Sequence, residues 1–324
     1  MKKFNIALVV IVVGLLCGCT GQKKKIAHNH DEFSKLEITH DHSDYFGSYT
    51  LNDENFGTKT TVTVQGDKRT MVTNAIPNHK TGAFPNQGNP NTISAQDRTY
   101  VFSTKPVYTG KSKWVREPGV ALNGVKFEPG TAEVVVCESG ENYRVEAFQD
   151  LIDLGLDFNN AHVQPNGAYH YHGTPTGVIE TFDNQEDLVH VGFAHDGFPI
   201  YYSKSNAYKP SYRIVDDNRS GTDCTYSNPK VSIDVDIDHT EQDGTFLSDW
   251  EYVKGSGDLD ECNGTELNGE YIYLVTNAYP YVGRCLMGEF TESERRGPPP
   301  GGRRPNAPGG GHPGKRPTNR PPNG

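Results

Sequence analysis

The chain has 324 residues, 34% of them hydrophobic and 22% charged, with 35 Gly, 21 Pro and a formal net charge of −10. Residues 1–25 and 297–324 each carry five Lys or Arg and no acid, so removing those ten positive charges leaves −20 for residues 26–296. A body that acidic repels nucleic acid and attracts cations, which argues against a nucleic-acid partner. Sparse apolar residues beside plentiful Gly, Asn, Asp, Thr and Tyr predict short strands and long loops.

Lys2 and Lys3 precede an apolar run from Ile6 to Leu16, too short to span a bilayer and shaped like a secretory signal. It ends Leu16-Cys17-Gly18-Cys19, which resembles a bacterial lipobox. Residues 1–18 are therefore expected to be a signal peptide, with lipid attached at Cys19 and the membrane reached through that anchor. Thr20 is not the acidic residue that retains lipoproteins at an inner membrane, so the expected location is the cell envelope, at the outer membrane where there is one. Residues 19–45 read as anchor and polar tether, containing His28-Asn29-His30-Asp31 and His40-Asp41-His42 with Asp44 close behind. That tract reads as a solvated spacer, with weak metal collection as the alternative.

Residues 46–296 are expected to fold as one mainly β domain, or α+β with little helix: a disulfide-stabilised, loop-rich β-sandwich-like or mixed-sheet domain. Strands begin near Thr58–Val64, which runs into the turn Gln65-Gly66-Asp67. The best helical periodicity lies in Asn142–Leu154, where Val145, Phe148, Leu151 and Ile152 recur.

In Asp157–His172, Pro165-Asn166-Gly167 signals a tight turn. As a strand, the following Tyr-His-Tyr-His puts Tyr169 and Tyr171 on one face and His170 and His172 on the other, roughly 6.6 Å apart. A hairpin folded there brings His162 to the same pair. Three imidazoles converging from paired strands suit a divalent transition metal, zinc or copper, with one position left open. The alternative is a histidine and aromatic ladder bound only by hydrogen bonds. His190, His195 and Asp196 lie further along, and Asp196 is the better candidate for a site carboxylate, against a turn-forming role before Gly197.

These residues resemble the YHYH domain family. The resemblance covers Asp157–His172, Gly119–Val125, Gly192–Tyr201, Leu259–Gly264, Pro280-Tyr281 and Gly283–Gly288, together about 119–288. It marks Asn123, Asp157, Asn160, Asp260, Glu261 and Asn263 as motif residues, and it names no reaction. Two departures stand out: His195 falls where the family pattern is apolar or aromatic, and Tyr271-Ile272-Tyr273-Leu274 lacks a histidine seen in relatives.

That late element also repeats an earlier one within the chain. Asp157-Phe158-Asn159-Asn160 with Asn166–His172 parallels Asp260-Glu261-Cys262-Asn263 with Asn268–Leu274, apart from one residue before the turn. The pattern reads as a duplicated loop-hairpin unit whose second copy packs Ile and Leu where the first carries His.

Once Cys17 leaves with the signal and Cys19 is acylated, four cysteines remain, and an oxidising compartment allows three pairings. Cys262 with Cys285 is preferred, because both lie in one short unit; Cys137 then pairs with Cys224. Ile233–Asp238 alternates apolar and acidic residues and reads as a charged edge strand rather than a calcium loop. Residues 297–324 read as a disordered basic Pro/Gly-rich tail. No His-Glu-x-x-His, Gly-x-Ser-x-Gly, phosphate loop, dinucleotide fingerprint or Cys-x-x-Cys occurs. The sequence thus points first to metal binding or handling at the cell envelope. A metal-dependent enzyme with Asp157, Asp196, Asp260 or Glu261 as base comes second, and a metal-free recognition or structural module third. Protein or polysaccharide partners are unspecified.

Overall fold

The computed structural model describes residues 36–37 and 45–290. The segment expected to be a signal, the expected lipidation site Cys19, most of the expected tether and the basic tail lie outside the described residues. Among those residues strands dominate; the helical elements are Thr176–Thr181 and a 3-10 turn at Leu247–Asp249. The expected mainly β, disulfide-stabilised, mixed-sheet fold is what forms.

A five-stranded sheet contains Tyr49–Asp53, Thr58–Gln65, Lys68–Thr73 and Arg98–Ser103 in sequential order, with Leu36–Glu37 at its edge. In Thr58–Gln65 the strand periodicity of two is plain: Thr58, Thr60 and Val62 are buried while Lys59, Thr61 and Thr63 are exposed. Its turn uses Gly66 at φ +57. The buried Tyr49, Val62, Met71, Tyr100 and Phe102 share one core with Val120, Phe127, Tyr171 and Phe193 of an eight-stranded mixed sheet. Tyr49 Oη and Thr60 Oγ1 donate across to the carbonyls of Leu122 and Asn123, each at 2.8 Å.

The eight-stranded sheet runs Ala161–Val163, Tyr169–Tyr171, Lys126–Phe127, Gly119–Ala121, Leu188–Ala194, Pro199–Ser203, Glu270–Val275, Gly264–Leu267. Read outward from its centre, it is the same in both directions. Val120 faces Phe193 at the middle, with Gly119 opposite Ala194 and Ala121 opposite Gly192. On each side a hairpin is followed by a parallel partner, whose own antiparallel mate closes the edge. The backbone bonds match: Ala121 N to Val125 O is answered by Ala194 N to Phe198 O, and Leu122 N to Val191 O by His195 N to Pro118 O. The turn glycines Gly124 and Gly197 have φ of +88 and +94, conformations open to glycine without a steric penalty. In the outer hairpins, Asp157 N to Ala161 O and His172 N to Asn160 O are answered by Asp260 N to Gly264 O and Leu274 N to Asn263 O. The duplication read from 157–172 and 260–274 is therefore present, and it extends to 119–127 and 192–200.

A separate four-stranded sheet joins Asn142–Arg144, Val134–Cys137, Cys224–Ser227 and Ser232–Val235 around its own small core. Cys137 and Cys224 face each other across it and are bonded; Cys262 is bonded to Cys285. Ser232–Val235 is an edge strand, as its alternation suggested, although it stops at Val235. The helix expected over Asn142–Leu154 does not form. Asn142–Arg144 pairs with Val134–Cys137 instead, and local side-chain bonds bend the chain beyond it: Gln149 Oε1 accepts from Ile152 N and Asp153 Oδ1 from Gly155 N. Strand pairing and turns here override a helical period carried by only four apolar residues.

Candidate metal centre

The hairpin forms as its sequence directs. Gln164 N bonds Ala168 O at 2.9 Å around a turn with Gly167 at φ +83. His162 pairs directly with His170, Ala161 with Tyr171 and Val163 with Tyr169. Register partners share a face, so the three histidines lie on one side and both tyrosines on the other. His172 sits just past the strand end, held by its N–H on Asn160 O at 2.8 Å, where Asn160 takes φ +55.

The three rings form a nearly equilateral triangle, with centroids 4.8, 4.6 and 4.7 Å apart. His170 and His172 are buried and His162 is half-buried. One ligand nitrogen from each lies within 4.8 Å of the others, an arrangement able to hold a metal ion. Each Nδ1 meets a backbone carbonyl: His162 that of Leu154 at 2.8 Å, His170 that of Ala168 at 3.3 Å and His172 that of Pro129 at 3.3 Å. A carbonyl only accepts, so a ring whose Nδ1 carries the proton to that carbonyl is left with its Nε2 lone pair for a metal. Metal-binding imidazoles are typically oriented by this kind of outer hydrogen bond. The Nε2 atoms of His162 and His172 stand 3.1 Å apart, within hydrogen-bond distance of each other when one of them carries the proton. Nitrogens bound to one zinc ion at 2.0–2.1 Å are about 3.3 Å from each other, so this pair is already at ligand spacing. Burial lowers the pKa of all three rings, and for His170 and His172 the neighbouring imidazoles push it down further. The neutral form that ligates metal is thereby favoured.

Parallel pairing sets Lys126 beside His170, and alternation places Glu128 on the same face. Lys126 Nζ bonds Glu117 Oε1 at 3.0 Å and Gln164 Oε1 at 3.2 Å and also pairs with Glu128. Gln164 Nε2 donates to Glu128 Oε2 at 2.8 Å, and Arg116 closes on Glu128 Oε1. Lys126, Glu117 and Glu128 are all buried. Sequence reasoning missed this group. The alternation of Lys126 and Glu128 was available, but nothing local said which strand they would flank. In the second copy Thr265, Ile272 and Leu274 stand at the corresponding positions, and Ile272 and Leu274 pack with Leu259.

Asp196, expected as a ligand, is not in the histidine group. Its Oδ2 accepts from Tyr273 Oη at 2.6 Å and Gly288 N at 2.9 Å, and burial pushes its pKa up to about 6. It follows the strand Leu188–Ala194, two strands removed from the hairpin that carries the histidines. His195 packs near Tyr100 and Phe102, and His190 stacks on Phe46 with Nε2 on Gly192 O. Neither joins the three. Asp157 and Asp260 hold their loops. Asp157 accepts from Tyr169 Oη, Gly82 N and Asn159 N; Asp260 accepts from Tyr271 Oη, Cys262 N and Gly264 N. Glu261 offers its carbonyl to Tyr212 Oη. Asn123 Nδ2 donates to Tyr171 Oη, which also meets His79 Nε2 at 2.6 Å, and Asn263 Nδ2 donates to Leu274 O. The motif side chains thus build the opposite face and the loops, and Asn160 also holds His172 through its carbonyl.

The family model described as YHYH protein matches residues 99–288. No curated protein and no solved structure matches the chain. The chain belongs to the YHYH family.

Proposed function

We propose, from YHYH family membership as premise, that this chain is a lipid-anchored metal-binding protein of the cell envelope, holding zinc or copper on His162, His170 and His172. One observation carries the reading: the three rings converge, one ligand nitrogen of each within 4.8 Å of the others, while each Nδ1 meets a backbone carbonyl. Two comparisons reinforce it. The duplicate unit fills the same face with Ile272 and Leu274, so a fold of this kind has no packing need for imidazole there. Buried polar groups without a ligand would be a standing cost. Neutral imidazole donors suit zinc and copper best. The lipobox-like Leu16–Cys19 supports the anchor, and two disulfides fit an oxidising compartment.

Metal analysis of the purified full-length protein tests this, with one zinc or copper per chain expected. H170A/H172A should lose it while both disulfides and the β-sheet circular dichroism remain. Metal retained in that variant would place the site elsewhere. A second reading, a metal-dependent enzyme acting outside the cell, is favoured by the ligand count. Three protein ligands leave a coordination position open, and a divalent ion there supplies Lewis acidity. Turnover that requires the metal in a hydrolase and oxidase screen would support it. A metal-free chain would favour a recognition or structural module.

A further inference from the structure

Lys126 lies on one strand beside Tyr169–Tyr171, and Gln164 follows the strand on the other side. Both backbones are fixed. Lys126 is paired with Val120 and with His170; Gln164 donates its N–H to Ala168 O at 2.9 Å and accepts from Gly167 N at 2.8 Å. Across the strand between them, Lys126 Nζ stands 3.2 Å from Gln164 Oε1. A carbonyl bond is about 1.23 Å long, so Nζ lies within about 4.4 Å of the amide carbon Cδ. The same nitrogen meets Glu117 Oε1 at 3.0 Å and Glu128 Oε2 at 2.5 Å. Glu128 Oε2 also accepts from Gln164 Nε2 at 2.8 Å, so one carboxylate oxygen touches both the amine and the amide nitrogen. The Lys126 and Glu128 side chains are only 10% and 1% exposed, which leaves little room for water to compete.

An amine, an acyl carbon and a carboxylate that reaches both nucleophile and leaving group are the parts of an acyl transfer. We propose that Lys126 and Gln164 become joined by an intramolecular isopeptide bond. Glu128 takes one proton from Nζ, and the amine attacks Cδ; the Nζ–Cδ bond forms while the carbonyl electron pair moves onto Oε1. As that pair returns, the Cδ–Nε2 bond breaks. Glu128 passes its proton to the departing nitrogen, which leaves as ammonia. Glu117 takes the second proton of Nζ, and the third stays on the new amide. No oxidant, reductant or co-reactant is consumed. The positive charge lost at Lys126 is matched by the negative charge lost at Glu117, so the step leaves no new unpaired ion in the interior. Reacting groups held in contact by the fold supply the proximity that an enzyme would otherwise provide. The bond ties the end of the His162 strand to the strand Lys126–Phe127, and it forms whether or not the histidines hold a metal.

The folded full-length protein is reduced at its disulfides and digested, and its peptides are weighed by mass spectrometry. The peptides carrying Lys126 and Gln164 should emerge as one branched species, lighter than their sum by one ammonia. Q164A should release them separately. E128Q, refolded beside wild type, should join them about a hundredfold or more slowly, the usual worth of a positioned proton carrier. Should E128Q fail to fold, E117Q leaves Glu128 between Lys126 and Arg116, removes the acceptor of the second proton, and should slow the joining instead. Separate peptides from folded wild type overturn the proposal. A joined species lighter by one water overturns it too, since the bond would then lie on a glutamate. Joining at the wild-type rate in folded E128Q overturns the role given to Glu128.

Discussion

Asn123 and Asp196 occupy corresponding turns of two matching hairpins, and each meets a tyrosine hydroxyl on its side of the sheet. Asn123 Nδ2 donates to Tyr171 Oη at 3.0 Å; Asp196 Oδ2 accepts from Tyr273 Oη at 2.6 Å. One copy uses a neutral amide and the other a titrating acid, and the acid is buried.

That difference sets a pH dependence. Burial raises the Asp196 pKa from 3.8 to about 6, so the folded state binds the proton more tightly than the unfolded state. Its stabilisation is complete below pH 3.8 and is lost as pH rises through about 6. Asp196→Asn, the residue of the first copy, should therefore be more stabilising relative to wild type at pH 7.5 than at pH 4, by on the order of 2 kcal/mol. Urea unfolding at the two pH values checks it; an unchanged difference would mean that the carboxylate stays ionised throughout.

The second copy also supplies a test of the centre. H170I/H172L installs its residues at the equivalent positions and should abolish metal binding. Because polar groups are exchanged for apolar ones, stability should stay within about 1 kcal/mol of metal-free wild type. Ala168 O keeps its bond from Gln164 N in this variant. Metal analysis and thermal unfolding read the two effects separately.

Asp157 and Asp260 do the same work in the two outer loops, yet only one loop leads into a metal ligand. Asp157→Ala and Asp260→Ala should each cost about 1–3 kcal/mol by leaving a tyrosine hydroxyl and backbone N–H groups unpaired. Asp157→Ala alone should also weaken metal affinity, since its loop runs into His162. Metal titration of both variants would expose the asymmetry, and equal losses would argue against it.

Acidification should release the metal late. Protons compete for the same Nε2 lone pairs, and burial holds all three ring pKa values below 6.5. The bound ion should persist to pH values below 6.5, where solvent-exposed histidine sites release theirs. Metal content after equilibration from pH 7.5 to 4 measures this directly; loss already complete at pH 7 would contradict it.

Local sequence carried the hairpin well. A turn at 165–167 with a period of two on either side settles which face each of Tyr169, His170, Tyr171 and His172 occupies, because pleating alternates side chains whatever lies next to the strand. The repeat of Asp157–His172 in Asp260–Leu274 was legible for the same reason, and so was the pairing of the four cysteines. Asn142–Leu154 misled because four apolar residues at helical spacing are weak evidence against a neighbouring strand edge that offers three paired positions.

The sequence by itself determined what the hairpin presents: three imidazoles on one side and two phenols on the other. It did not determine what stands around them. Lys126 and Glu128 reach the histidines through a parallel pairing, and Asp196 is drawn to Tyr273 in the opposite half of the sheet. Those neighbours were fixed only when distant strands chose their partners, a choice governed by burial of the shared core over the whole domain and not by any period within a single segment.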